Sequence, residues 1–247
     1  PLHGTQPPRG QVMLSMYHLD DAPMTSDPRH ALERQVQAFE GKGLHPAGAF
    51  ELEFFLLANE RDGDGKVQPA RAVLDGRHSG KTEVYSVDHL HGMEPLFSDI
   101  YAAAKLQDIP VETVISEYAP GQYELTLHYR KGIMRAADDL VMLKRLVRMQ
   151  ARRHGVTACF MAKPIEKYAG SGMHLHVSLQ DDAGTNLFSE KAGEKWAPSL
   201  LHAIGGLGAT MAESMLVFAP HANSWRRFVS QSYAPVAPTW GVNNRSV

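Results

Sequence analysis

From residue 173 the run Met173-His174-Leu175-His176-Val177-Ser178 alternates strictly between apolar and polar side chains. On a strand this period buries Met173, Leu175 and Val177 and presents His174, His176 and Ser178 together. The same alternation recurs at Phe50-Glu-Leu-Glu-Phe54, where Glu51 and Glu53 share one face and Phe50, Leu52 and Phe54 the other. It recurs again from Gln122 to Tyr129, which puts Gln122, Glu124, Thr126 and His128 on one side. One histidine on a strand is most often a surface residue, and alternating glutamates usually mark a solvated face. Glu51 and Glu53, however, run straight into Phe54, Phe55, Leu56 and Leu57, and a carboxylate in so apolar a run needs a cation or hydrogen bonds. Three strands bearing carboxylates and imidazoles on an inner face predict a divalent-metal site built on a sheet. That donor mixture suits Mg²⁺ or Mn²⁺ better than a structural zinc, and the single cysteine, Cys159, cannot make a thiolate cluster.

The elements that must hold these strands can be read from local signals. The proline-rich stretch 1–26 predicts an irregular lead-in with a short strand near Val12 to Tyr17, ahead of a main domain spanning 27–247. Asp27 followed by Pro28 reads as a helix start, with Leu32, Val36 and Phe39 at helical spacing and a stop at Gly41 and Gly43. Asn59 to Gly65 is rich in turn residues. Its Asp62-Gly-Asp-Gly resembles part of a calcium loop but lacks the downstream Glu, so a plain turn is expected. Further helices are predicted at about 94–107, 131–154 and 195–217. Gly170-Ser-Gly172 precedes a strand and reads as a bend that lets a ligand approach the backbone closely. Several strands close together in sequence, interleaved with helices, predict an α+β fold with a curved, mainly antiparallel sheet backed by helices.

Composition narrows the function. A chain of 247 residues can bury a large core without staples, and one cysteine fits a reducing compartment. With 25 basic and 27 acidic residues, a net charge of −2 argues against nucleic acid or a membrane surface as partner. No apolar run approaches the roughly 20 residues that span a bilayer. The chain is expected to be cytoplasmic.

Four motifs resemble, in order, those of the glutamine synthetase family: Glu51-Leu-Glu53-Phe-Phe; Glu117-Tyr-Ala-Pro-Gly-Gln-Tyr-Glu124; Gly170-Ser-Gly-Met-His-Leu-His176-Val-Ser178; and an arginine-bearing group made of Asn223-Ser-Trp-Arg-Arg-Phe, Tyr233-Ala-Pro235 and Trp240-Gly-Val-Asn-Asn-Arg-Ser246. The resemblance implies the catalytic-domain fold of that family and two divalent ions. Glu53, Glu117 and Glu124 would hold one ion, and Glu51 and His174 the other. It implies ATP as co-substrate with His176 and Ser178 on the nucleotide side, Arg227 and Arg245 as catalytic cations, and Gly170 and Tyr233 as substrate contacts. It also implies a homo-oligomeric ring with active sites shared between subunits. By the family's pattern a further metal ligand would follow Val247 and an N-terminal domain would precede the chain, so residues 1–247 alone are expected to show little activity.

The reaction implied is transfer of the γ-phosphoryl of ATP to the side-chain carboxylate of glutamate, followed by attack of an amine. Two departures bear on the amine. Ammonia-using members carry a carboxylate at the position of Tyr233 and an asparagine at that of Ala169. The segments around Asn223 and Tyr233 resemble instead the γ-glutamylpolyamine synthetase branch. An aromatic at 233 suits the methylenes and ammonium of a di- or polyamine. The competing readings are a glutamate–ammonia ligase, a non-catalytic relative and a metal-dependent hydrolase that binds no nucleotide.

Overall fold

A computed structural model describes residues 7, 9–78, 80–190, 193, 195–229 and 232–242. Helix α1 (Pro28–Glu40) begins as its sequence dictates: Asp27 accepts hydrogen bonds from the amides of Arg29 and Met16, both at 2.8 Å, with proline in the first turn. It ends at Gly41, and Gly43 turns the chain with a φ of 67°, where a side chain would be strained. The long strand β1 (Leu44–Ala58) follows. After α2 (Val87–Gly92) and α3 (Glu94–Leu106) come β2 (Val111–Ser116), β3 (Gln122–Leu127), α4 (Ile133–Arg153), β4 (Val156–Cys159) and β5 (Met173–Asp181). Three more helices, α5 (Pro198–Thr210), α6 (Met215–Phe218) and α7 (Ala222–Trp225), complete the order.

The five strands form one sheet in which every pairing is antiparallel, in the order β2-β3-β1-β4 with β5 also on β1. β1 is long enough to serve three neighbours: β3 along 51–55, β4 along 55–58 and β5 along 44–52. Its even-numbered residues Phe50, Leu52, Phe54 and Leu56 join Tyr123, Leu125 and Leu127 of β3 in a core closed by Leu96, Phe97 and Ile100 of α3 and Leu143, Leu146 and Val147 of α4. The helices therefore back one face. The opposite face is left to Glu51, Glu53, Gln122 and Glu124, as the alternation predicts.

Four details differ from the sequence reading. No strand forms at 12–17; an isolated bridge joins Tyr17 to Pro23 instead. Met173, Leu175 and Val177 are not buried but each about half exposed, at 55, 49 and 48%. Alternation correctly put them on the helix-backed face. β5 lies at the sheet's edge, however; α4 packs on β1 and β4 and α3 on α4 and β2, so most of β5 is left uncovered. The helix expected over 195–217 is broken into α5 and α6 by a turn at 211–214, where the Ser214 amide closes on the Thr210 and Met211 carbonyls. Helix α2, capped by Ser86, was not foreseen. The Asn59–Gly65 segment is a plain turn, in which Asp62 accepts from the amides of Asp64 and Lys66 and from the Gln68 side chain. Among the described residues no helix is long and apolar enough to cross a membrane.

Candidate active site

Register decides which polar side chains meet. Across β1 and β5, Glu51 stands opposite His174; across β1 and β3, Glu53 stands opposite Glu124. Direct antiparallel partners lie on one face with their β-carbons about 5 Å apart, so three strands deliver their polar groups to one place. Glu51, Glu124 and His174 each offer a ligand atom, and these atoms lie within 4.8 Å of one another. That is the spacing of a set that can close on one cation, and the carboxylate–imidazole mixture suits Mg²⁺ or Mn²⁺. Glu51 also accepts from His174 Nδ1 at 2.7 Å and from His176 Nε2 at 2.8 Å. Burial opposes ionisation of Glu51, but these two hydrogen bonds and the imidazole charges outweigh it and hold its carboxyl below the ordinary glutamate value.

Glu53 is held differently. Its Oε2 accepts from the Gly172 amide at 2.8 Å and from Gln122 Nε2 at 3.3 Å. Gln122 is fully buried and also donates to the Gly170 carbonyl at 3.0 Å, while its Oε1 accepts from the Ala119 amide. One side chain thus ties the β2–β3 turn to the Gly170–Gly172 bend. Glu117 sits on that turn, with its Oε2 accepting from the Tyr118 amide. The structure accordingly groups Glu124 with Glu51 and His174, and places Glu53 and Glu117 along the neighbouring cavity.

That cavity, about 520 Å³, is lined by Glu53, Glu117, His174 and Arg227 together with Tyr85, Tyr118 and Tyr233. The Gly170–Gly172 bend exists to admit Arg227. A β-carbon at Gly170 would meet the Ala162 carbonyl at 2.6 Å and the Arg227 chain at 2.8 Å. The Nε of Arg227 is buried and without a hydrogen-bond partner among the described residues, an unmet donor that suits an anionic occupant. Arg227 is carried on the segment after α7, whose Asn223 clasps Lys163 reciprocally: the Lys163 amide donates to Asn223 Oδ1 at 2.8 Å, and Asn223 Nδ2 donates to the Lys163 carbonyl at 2.9 Å. Lys163 in turn donates to the Tyr168 carbonyl, and burial together with the nearby Arg227 charge pushes its ammonium below the usual lysine value.

Other residues singled out by sequence lie further away. His176 is on Glu51, and Ser178 stands two residues along β5 opposite Ala47; neither lines the cavity. His128 falls beyond the end of β3, with its Nδ1 3.6 Å from a Glu112 oxygen. Arg245 lies outside the described residues. Sequence reasoning did not assign roles to Gln122, Lys163, Tyr85 or Tyr118. Alternation put Gln122 on the polar face beside Glu124 but could not show that it is buried and tied to the Gly170 carbonyl, and nothing in the sequence joins Tyr118 to Tyr233.

Fold and site together define an α+β domain that sets a carboxylate–imidazole cluster on the open face of an antiparallel sheet, beside a cavity lined by a partly buried arginine. The family described as glutamine synthetase, catalytic domain, matches residues 25–247, and the chain belongs to it. It is 42% identical over 238 residues to gamma-glutamylputrescine synthetase PuuA of Escherichia coli (strain K12), a match covering 96% of this chain and 50% of that protein. It is 31% identical over 241 residues to the glutamate–isopropylamine ligase of a Pseudomonas species, covering 96% of this chain and 51% of that protein. A solved structure described as "GmaS/ADP complex-Conformation 1" superposes with a TM-score of 0.80 at 29% identity, over 92% of this chain and 52% of that one. The chain thus spans about half the length of the curated relatives it matches.

Proposed function

We propose that the full-length protein is an ATP- and divalent-metal-dependent ligase that joins the γ-carboxylate of glutamate to an organic amine, a di- or polyamine, by way of γ-glutamyl phosphate. The observation that carries this reading is the convergence of Glu51, Glu124 and His174 beside a cavity that holds both Arg227 and Tyr233. The 42% identical relative, named for putrescine, supports the choice of amine.

In this reading a glutamate carboxylate oxygen attacks the γ-phosphorus of ATP and ADP leaves. The amine then attacks the acyl carbon, loses a proton, and phosphate departs with the carboxylate oxygen. Glu53, Glu117 and Glu124 would hold one ion and Glu51 and His174 a second, with Glu124 close enough to Glu51 and His174 to serve the second ion as well; bound there, the ions would supply charge neutralisation for the phosphates. Arg227, and Arg245 with it, stabilises the transferred phosphoryl group through its permanent charge. The Gly170 bend and Tyr233 bound the substrates, and His176 and Ser178 take the nucleotide side. A homo-oligomeric ring with shared sites and a cytoplasmic location belong to the same proposal.

The second reading, a glutamate–ammonia ligase, differs in the nucleophile, and Tyr233 in place of a carboxylate disfavours it. Phosphate release by the full-length protein with ATP, Mg²⁺ and glutamate tests the choice. Release with putrescine or a longer polyamine and not with ammonium is the expected result. Release with ammonium alone would return the protein to glutamine synthesis.

A further inference from the structure

Two tyrosine rings from distant segments meet at the cavity. Tyr118 and Tyr233 lie with ring centroids 5.5 Å apart at an interplanar angle of 54°, an attractive aromatic arrangement. Neither contributes to the hydrophobic core: they are 41 and 62% exposed and belong to neither buried cluster. Their positions are nonetheless enforced. Tyr118 stands on the turn pinned at 2.9 Å by the Glu117 amide to the Gln122 carbonyl and by Gln122 itself, which is 1% exposed. Tyr233 holds a left-handed backbone with a φ of 57°, and Tyr85, which lines the same cavity, one of 58°. The other two described non-glycine residues in that region are aspartates, which tolerate it; a tyrosine does so at a cost of about 1 kcal/mol or more. Strain without burial to offset it marks a ring held for what it faces.

The cavity lining combines ionised groups, Glu53, Glu117 and Arg227, with three aromatic rings, Tyr85, Tyr118 and Tyr233. Free ammonium has a charge to set against a ring face but no methylenes to lay along the rings. An amine with an alkyl chain has both: its methylenes lie on the rings and a second ammonium sits on a ring face. The geometry points to Tyr118, paired with Tyr233, as the specificity-determining residue that selects an alkyl-chain amine over ammonium. This rests on the ligase reading above and adds a residue that reading does not use.

The test is steady-state kinetics of the full-length protein and its Tyr118→Ala, Tyr118→Leu and Tyr118→Phe variants, with putrescine and with ammonium. Losing one ring–cation and methylene contact is expected to raise the KM for putrescine about tenfold in the Ala and Leu variants. The KM values for ATP and glutamate should stay unchanged, and Phe should restore the wild-type value because the ring face is kept. If wild type turns over putrescine and a folded Ala or Leu variant keeps its KM, this inference is overturned while the ligase reading stands. If wild type turns over no alkylamine, both fall.

Discussion

The guanidinium of Arg227 lies directly over Gly172: a β-carbon added at that glycine would sit 2.8 Å from its terminal nitrogen. The atom that must yield is the end of a flexible side chain, so Gly172→Ala displaces Arg227 and spares the fold. We expect turnover to fall by about 100-fold, the scale of losing one preorganised donor to a developing charge. The melting temperature should hardly move. Gly170→Ala should behave differently, because its methyl meets the Ala162 carbonyl at 2.6 Å. There the backbone must shift, and we expect destabilisation of about 1–3 kcal/mol as in other overpacked sites. Denaturant unfolding of the two variants separates the effects.

Glu51 joins β1 to two imidazoles of β5. Glu51→Gln keeps the shape and removes the charge, so Mn²⁺ affinity should drop at least about tenfold. Titration followed by the spectroscopic signal of free Mn²⁺ reads this directly. Unchanged affinity would remove Glu51 from the metal set.

Asn223→Ala breaks both hydrogen bonds that tie the Arg227 segment to Lys163. Leaving that amide and carbonyl without partners should cost about 2 kcal/mol. Because the clasp also positions Arg227, turnover should fall by more than stability alone explains, whereas Asn223→Asp retains the acceptor for the Lys163 amide and should recover part of both.

Hydrogen bonds from the Met16 amide and then the Arg29 amide hold the Asp27 carboxyl below its ordinary value of 3.8. A group with a depressed folded pKa contributes stability that is fully present above its unfolded pKa and is lost as pH falls through the folded value. Wild type should therefore lose stability as pH drops below about 3.8 more steeply than Asp27→Asn, which has no proton to gain. Thermal melts between pH 2 and 6 compare the slopes.

Much of this site was legible because period-two alternation is a strong local signal. It placed Glu51, Glu53, Glu124 and His174 on one face, and register then joined them. What it could not supply was depth. Met173, Leu175 and Val177 carry the same pattern as Phe50, Leu52 and Phe54, yet burial depends on whether a helix reaches that strand, which is a tertiary fact. Nor could it supply contacts between distant turns. The Tyr118–Tyr233 pair and the Asn223–Lys163 clasp join segments separated by long stretches of chain, and neither leaves a periodic trace.

The proposed reaction passes through an acyl phosphate formed from glutamate, and isotope transfer tests that step. Glutamate labelled with ¹⁸O in its γ-carboxylate should be supplied to the full-length protein with ATP, Mg²⁺ and putrescine, and the released phosphate examined by mass spectrometry. One labelled oxygen per phosphate, in step with a γ-glutamyl amide product, is the predicted result. Phosphate released without label would mean that water, not the carboxylate, receives the phosphoryl group, and would contradict the ligase assignment.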